Sequence, residues 1–272
     1  MPHKLSRISA LARIVLLDGL RRHALLGLIV LSIAAQAGAF LFFDFIPRDI
    51  GRASADFILS LAWLTGFIFL FFHGVQVIAL DEERKVIYSL LARPLSRGEY
   101  VLGVFGGLAA LLLLLNLLLG GLGFGALLLI KQMVPPTYFN QLNGPVYLLA
   151  WLGLLAMQLM LLAVILLFSG LVRGGFPVLL VSLAFYAICS GLPVVREAVS
   201  QRSGNEDGLL SLLVGLTALF PDFDRLDFKN SIAATAPLPD LSLILINFGV
   251  VAAYTGLALW LAALVYQRRD LQ

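Results

Sequence analysis

The chain has 272 residues, of which 60% are hydrophobic and 13% charged, with a mean hydropathy of +0.97 and a formal charge of +3. That balance, with repeated uncharged runs of about twenty residues or more, excludes an ordinary soluble domain and places the chain among multi-spanning membrane proteins. The positive charges lie in loops with no basic, aromatic-interleaved surface, so no nucleic acid is expected as a partner, and the single cysteine, Cys189, excludes an intrachain disulfide.

Residues 4–22 form the first unit. Leu5, Ile8, Ala12, Val15, Leu16 and Gly19 recur at i, i+3, i+4 spacing, while Lys4, Arg7, Asp18, Arg21 and Arg22 lie mostly elsewhere around the helix. The expectation is a basic amphipathic helix on the inner leaflet, with membrane lipid as a partner. Crossing about 30 Å of hydrocarbon takes about 20 apolar residues. Six stretches qualify, at about 24–43, 57–80, 100–130, 146–172, 174–195 and 241–266, within a single domain covering 1–272. The first is read as a retained span, because the segment ahead of it is long for the n-region of a signal peptide.

The apolar stretch Leu209–Phe220 is too short to cross and reads as a re-entrant or interfacial helix within an extracytoplasmic loop at 196–240. Six spans put both termini on one side. With the N-terminus cytoplasmic, twelve Lys and Arg residues fall on inner segments and seven on outer ones, four of those seven in one long loop. Small-residue pairs at four-residue spacing, among them Gly103/Gly107 and Gly121/Gly125, permit close helix approach. The expected fold class is therefore an all-α membrane protein. It has six transmembrane helices, an N-terminal interfacial helix, a short cytoplasmic helix between spans two and three, and a re-entrant or interfacial helix between spans five and six.

Chemistry-bearing motifs are few. No G-x-x-x-x-G-K-[ST] loop exists to cradle phosphate, and His3, His23 and His73 lack metal-ligand spacing. There is no G-x-S-x-G elbow and no acid pair inside a span, so no catalytic, cofactor-binding or metal residue is expected and the chain is not read as an enzyme. No span carries Asp, Glu, Lys or Arg, which counts against an ion-coupled secondary transporter without excluding one. Polar groups at membrane depth are His73, Gln76, Asn116, Gln158, Tyr186, Ser190 and Asn247. Each either bonds a neighbouring helix or contributes to a sparse polar lining for an amphipathic substrate. His73, Gln76, Asn116, Gln158 and Asn247 are the candidates for a translocation path.

The charge that is missing elsewhere is concentrated between spans two and three. Asp81, Glu82, Glu83, Arg84, Lys85, Arg93, Arg97 and Glu99 fall within nineteen residues. Ile87, Leu90 and Leu91 make an i, i+3, i+4 stripe, the acids stand where a helix N-terminus favours them, and Pro94 stops the helix at Arg93. A short amphipathic helix of this kind binds lipid or fills a groove on a soluble partner.

The run acid–acid–basic, then I-Y-S-L-L-A-R-P-L-S-R, then G-E-Y-x-L-G entering a span, resembles the loop between spans two and three of ABC-2 type transporter permeases. The six-span layout, the N-terminal amphipathic helix, the short turn between spans four and five and the closing Y-Q-R-R-D-L are similar too. The resemblance implies a permease subunit in a bacterial cytoplasmic (inner) membrane. It would pair with a second permease copy, as a homo- or heterodimer, and with two copies of a separate ATP-binding subunit that holds ATP and magnesium. It further implies an ATPase-coupling interface at Glu82, Glu83, Arg84, Ile87, Leu90 and Leu91, with Arg93, Pro94, Ser96 and Arg97 fixing the turn into span three. The expected function is ATP-driven export of a hydrophobic or amphipathic compound. The alternative is a mechanotransmitting subunit that acts on a periplasmic partner, for example in metalloenzyme maturation, without carrying cargo.

Overall fold

A computed structural model describes residues 2–40, 50–83, 96–133, 135, 144–202, 215, 217, 220–223, 225–229 and 240–268, and these are helical with short connections. Helices α1 (Pro2–Arg21) and α2 (His23–Phe40) meet at Arg22. Helix α3 (Ile50–Ile68) passes through a π-helical segment, Phe69–Gly74, into α4 (Val75–Glu83). Helices α5 (Arg97–Met133), α6 (Gly144–Leu171), α7 (Gly175–Arg202) and α8 (Leu241–Arg268) follow. No strand occurs among the described residues.

Five stretches are long and apolar enough to cross a membrane: Ile50–Ala79, Arg97–Met133, Gly144–Leu171, Gly175–Ala198 and Leu241–Arg268. They coincide with five of the six expected spans. Most overrun the apolar sequence at one or both ends, because a helix has no reason to stop where the side chains turn polar. The expected first span corresponds to α2. Its 18 residues reach about 27 Å at 1.5 Å per residue, just short of a full crossing, and its expected continuation to Phe43 lies outside the described residues.

The core runs along α5 and α6. Leu108, Leu111, Leu112, Leu115 and Leu119 occupy successive turns of α5 and are fully buried, as are Met160, Leu161 and Leu162 of α6. A helix apolar on every side can be enclosed by neighbours on every side. Accordingly 67% of the α6 span is buried within the chain, against 17% for α7 and for α8, which keep most of their apolar surface facing outward.

The N-terminal helix does more than rest on a surface, because α1 is seated against α5. Leu11 and Val15 are buried there, over a strip of glycines. A Cβ on Gly103 would come within 2.9 Å of the Cβ of Leu11, and one on Gly107 within 2.6 Å of the Cβ of Val15 and 2.8 Å of the Ala12 carbonyl oxygen. The expected apolar stripe is therefore corrected at two points. Leu11, which it omitted, is central, whereas Leu5 is 71% exposed. The outward side of α1 carries Ile14, Leu17 and Leu20 beside Arg13 and Arg21, the mixture of apolar and basic side chains suited to a bilayer interface.

A second correction concerns the acids of the charged segment. Asp81, Glu82 and Glu83 form the last described turn of α4 and continue the helix of the second span, instead of opening a new one. The rest of the expected short helix, from Arg84 to its stop at Arg93, and nearly all of Leu209–Phe220 lie outside the described residues. The tight connection between α6 and α7 depends on Gly174, whose φ of +90° is open to glycine and strained for other residues.

Candidate functional site

The start of α5 gathers several helix ends. The Ser96 N–H donates to Glu99 Oε2 at 2.9 Å, and the Glu99 N–H donates to Ser96 Oγ at 3.3 Å. This reciprocal capping box satisfies two backbone donors that the helix itself cannot pair. The Glu99 carboxylate also complements the positive end of the α5 dipole. It is buried, and Arg7 Nη1 of α1 lies 4.0 Å away. Arg97 turns the other way, where its Nη1 donates to the carbonyls of Tyr266 at 3.0 Å and Gln267 at 2.7 Å. A guanidinium thereby occupies the negative end of α8. The Tyr266 hydroxyl lies 3.0 Å from Ser169 Oγ of α6, and its ring centroid is 6.0 Å from that of Tyr100. Helices α1, α5, α6 and α8 are thus tied together at one end of the bundle.

Of the ten residues expected at a coupling interface, Ser96 and Arg97 belong to this cluster. Glu82 and Glu83 sit on the last turn of α4, with side chains outside the described set. Arg84, Ile87, Leu90, Leu91, Arg93 and Pro94 lie outside the described residues altogether. Arg7, Glu99 and Tyr266 were not among the expected residues, although the S-x-x-E spacing at Ser96–Glu99 is a readable capping signal.

The five candidates for a translocation path separate into different places. Asn116 of α5 and Gln158 of α6 meet in the core. Asn116 Nδ2 donates to Gln158 Oε1 at 2.7 Å and to the Leu112 carbonyl at 2.9 Å. Gln158 Nε2 crosses to the Ala62 carbonyl of α3 at 3.3 Å, passing Gly66, where a Cβ would overlap the amide. Trp151 Nε1 adds a bond to the Asn116 carbonyl at 3.2 Å. The result is a polar brace joining three spans. It also leaves Asn116 Oδ1 buried with no hydrogen-bond partner among the described residues. Two smaller links, Ser32 Oγ to Thr65 Oγ1 at 2.8 Å and Gln36 Nε2 to the Leu119 carbonyl at 3.3 Å, fasten α2 to the same core.

No hydrogen bond joins the other three candidates to that brace. His73 is buried within the π-helical segment, stacked on Phe69 at 5.1 Å, and its Nε2 has no partner among the described residues. Gln76 is exposed. Asn247 Nδ2 donates to the Arg225 carbonyl at 3.2 Å, at the opposite end of the bundle from Ser96.

Residues 220–223 and 225–229 pack across that opposite end. Asp222 lies 3.5 Å from Arg196 Nη1 and 3.8 Å from Arg225 Nε, and Arg196 also donates to the Thr217 carbonyl. Phe223, Leu226 and Phe228 are buried. The Leu226 carbonyl rests on Gly153 of α6, where a side chain would collide with it. Between the C-terminal half of α5 and the N-terminal half of α6 runs an apolar groove of about 670 Å³, lined by Leu117, Gly121, Phe124, Pro145, Leu148 and Leu152.

These features define a multi-pass, all-helical membrane protein with a tied helix-end cluster, an internal polar brace and a capped opposite end. A scan against protein-family models returned no match, and a search of curated proteins returned none either.

Proposed function

We propose that the chain is an ABC-2 type permease subunit with six spans and both termini on the cytoplasmic side of a bacterial inner membrane. It would export a hydrophobic or amphipathic compound using ATP hydrolysed by a separate subunit. The observation that carries this reading is the concentration of charge at 81–99, which leads directly into the capped start of α5. An isolated charge costs about 2.5–3.5 kcal/mol at the centre of a membrane helix, so this segment belongs in water or against a protein. At its end Arg97 and Glu99 contact two other helices, α8 and α1, and Tyr266 of α8 carries the link on to Ser169 of α6. A push received there would reach several spans at once.

The test is double charge reversal, Glu82→Lys with Glu83→Lys, in protein co-purified with its ATP-binding subunit. The expected result is loss of stimulated ATPase activity with normal membrane insertion. Unchanged stimulation, or the absence of any co-purifying ATPase, would count against the proposal.

One observation favours mechanical transmission without cargo as a second reading. The 220–229 segment is keyed to α6 through Gly153 and to α7 through Arg196, so helix motion would be passed to the face that a periplasmic partner would meet.

A further inference from the structure

A second cavity, of about 180 Å³, opens inward from residues 220–229. It is lined by Trp63 of α3, Met157 of α6, Tyr186 of α7, and Phe223, Asp227 and Lys229 of the capping segment. Three aromatic rings form one part of the wall. The Trp63 and Tyr186 centroids are 6.2 Å apart with planes inclined by 40°, and those of Tyr186 and Phe223 are 5.2 Å apart and inclined by 63°. All three residues border the space. The remaining wall contributes one carboxylate and one ammonium. Asp227 Oδ1 is held by the Lys229 N–H at 3.1 Å, which fixes the acid on the cavity side of a short turn. Among the described residues the Lys229 ammonium makes no ion pair.

We infer that this cavity is a binding site for a small zwitterion built from a methylated ammonium and an anionic group. Aromatic rings bordering one space attract a quaternary ammonium through their quadrupoles while giving its methyl groups an apolar surface. Asp227 supplies the matching negative charge. Lys229 makes a simple cation a poor fit, since it would repel one, but an anionic group on the same ligand turns that ammonium into a partner. The size agrees as well. A cavity of about 150 Å³ holds a benzene molecule, so 180 Å³ suits a ligand of comparable bulk with a short polar extension. A free betaine and the headgroup of a choline lipid share this chemistry. The inference does not depend on the permease reading.

The test uses the full chain in a maltoside detergent, free of phosphocholine, titrated with trimethylglycine and followed by calorimetry. Saturable binding is expected. Trp63→Leu and Asp227→Asn should each weaken it at least tenfold, and Trp63→Phe, which keeps a ring and guards against misfolding, should weaken it less than Trp63→Leu. Lys229→Met should weaken trimethylglycine at least fivefold while leaving tetramethylammonium unchanged or tighter. Loss of trimethylglycine affinity in nanodiscs of phosphatidylcholine, relative to phosphatidylglycerol, would assign the site to a lipid headgroup; equal affinity in both would assign it to a free solute. The inference is overturned if trimethylglycine does not saturate, if the folded Trp63→Phe and Asp227→Asn proteins bind it as the parent does, or if Lys229→Met weakens both probes equally.

Discussion

Substituting Gly107 by alanine isolates the seating of α1 on α5. The new methyl group would lie 2.6 Å from the Cβ of Val15 and 2.8 Å from the Ala12 carbonyl oxygen. Neither is the tip of a flexible side chain, so α1 has to move as a body. Overpacking of this kind costs about 1–3 kcal/mol. The gain in helix propensity from Gly to Ala, at most about 1 kcal/mol, does not offset it, because α5 is helical whether α1 is seated or not. At 1.4 kcal/mol per factor of ten, the population with α1 released should rise about 5- to 150-fold. The assay is maleimide labelling of a Leu11→Cys reporter. Leu11 is buried on the side of α1 that faces α5 and the native Cys189 is fully buried, so the background is low. When reseating is faster than modification, the labelling rate follows the released population. Gly121→Ala serves as the control, since its Cβ meets nothing within 4 Å. A labelling rate for Gly107→Ala within twofold of the parent would refute the close-approach argument.

Two other predictions concern the bonds that join helices. Asn116→Leu and Gln158→Leu should each lower the detergent unfolding midpoint, and the double variant should cost less than the sum of the singles. The coupling expected is about 0.6–1.7 kcal/mol, as found for hydrogen bonds between membrane helices; strict additivity would mean that the 2.7 Å contact contributes nothing. Arg97→Ala should speed amide exchange severalfold in the last turn of α8, where the Tyr266 and Gln267 carbonyls lose their donor, and Arg97→Lys should restore part of the protection. Exchange unchanged in both variants would show that solvent satisfies those carbonyls equally well.

The spans were readable because a hydrocarbon layer imposes one simple demand, and five helices meet it where the apolar runs predicted. Helix contacts were less readable. Gly103/Gly107 was visible as a small-residue pair, but nothing in its spacing named α1 as the helix that would settle there. Leu11 escaped because the heptad-like stripe drawn through Leu5 and Ile8 passed to one side of it. Asn116 and Gln158 were each recognisable as polar residues in apolar spans, yet forty-two positions separate them, and only the packing of α5 against α6 makes them partners. The π-helical segment around His73 left no signature in the apolar pattern. Asp81, Glu82 and Glu83 misled for a local reason: acids favour a helix start, but a helix already under way from Ile50 carried through them.

The length of α5 has a mechanical corollary. Its 37 residues make a rod of about 55 Å, well beyond what the bilayer core requires. The capping box, the Arg7 contact and the Arg97 clasp pin this rod at its first turn, and glycines line much of the rest. Rocking it by about 5° about that pinned turn would swing the distal tip through about 5 Å, a displacement close to one helical pitch. If α5 rocked as a rigid body, a slight tilt at Ser96 would thus become a displacement of several ångströms beside Phe124.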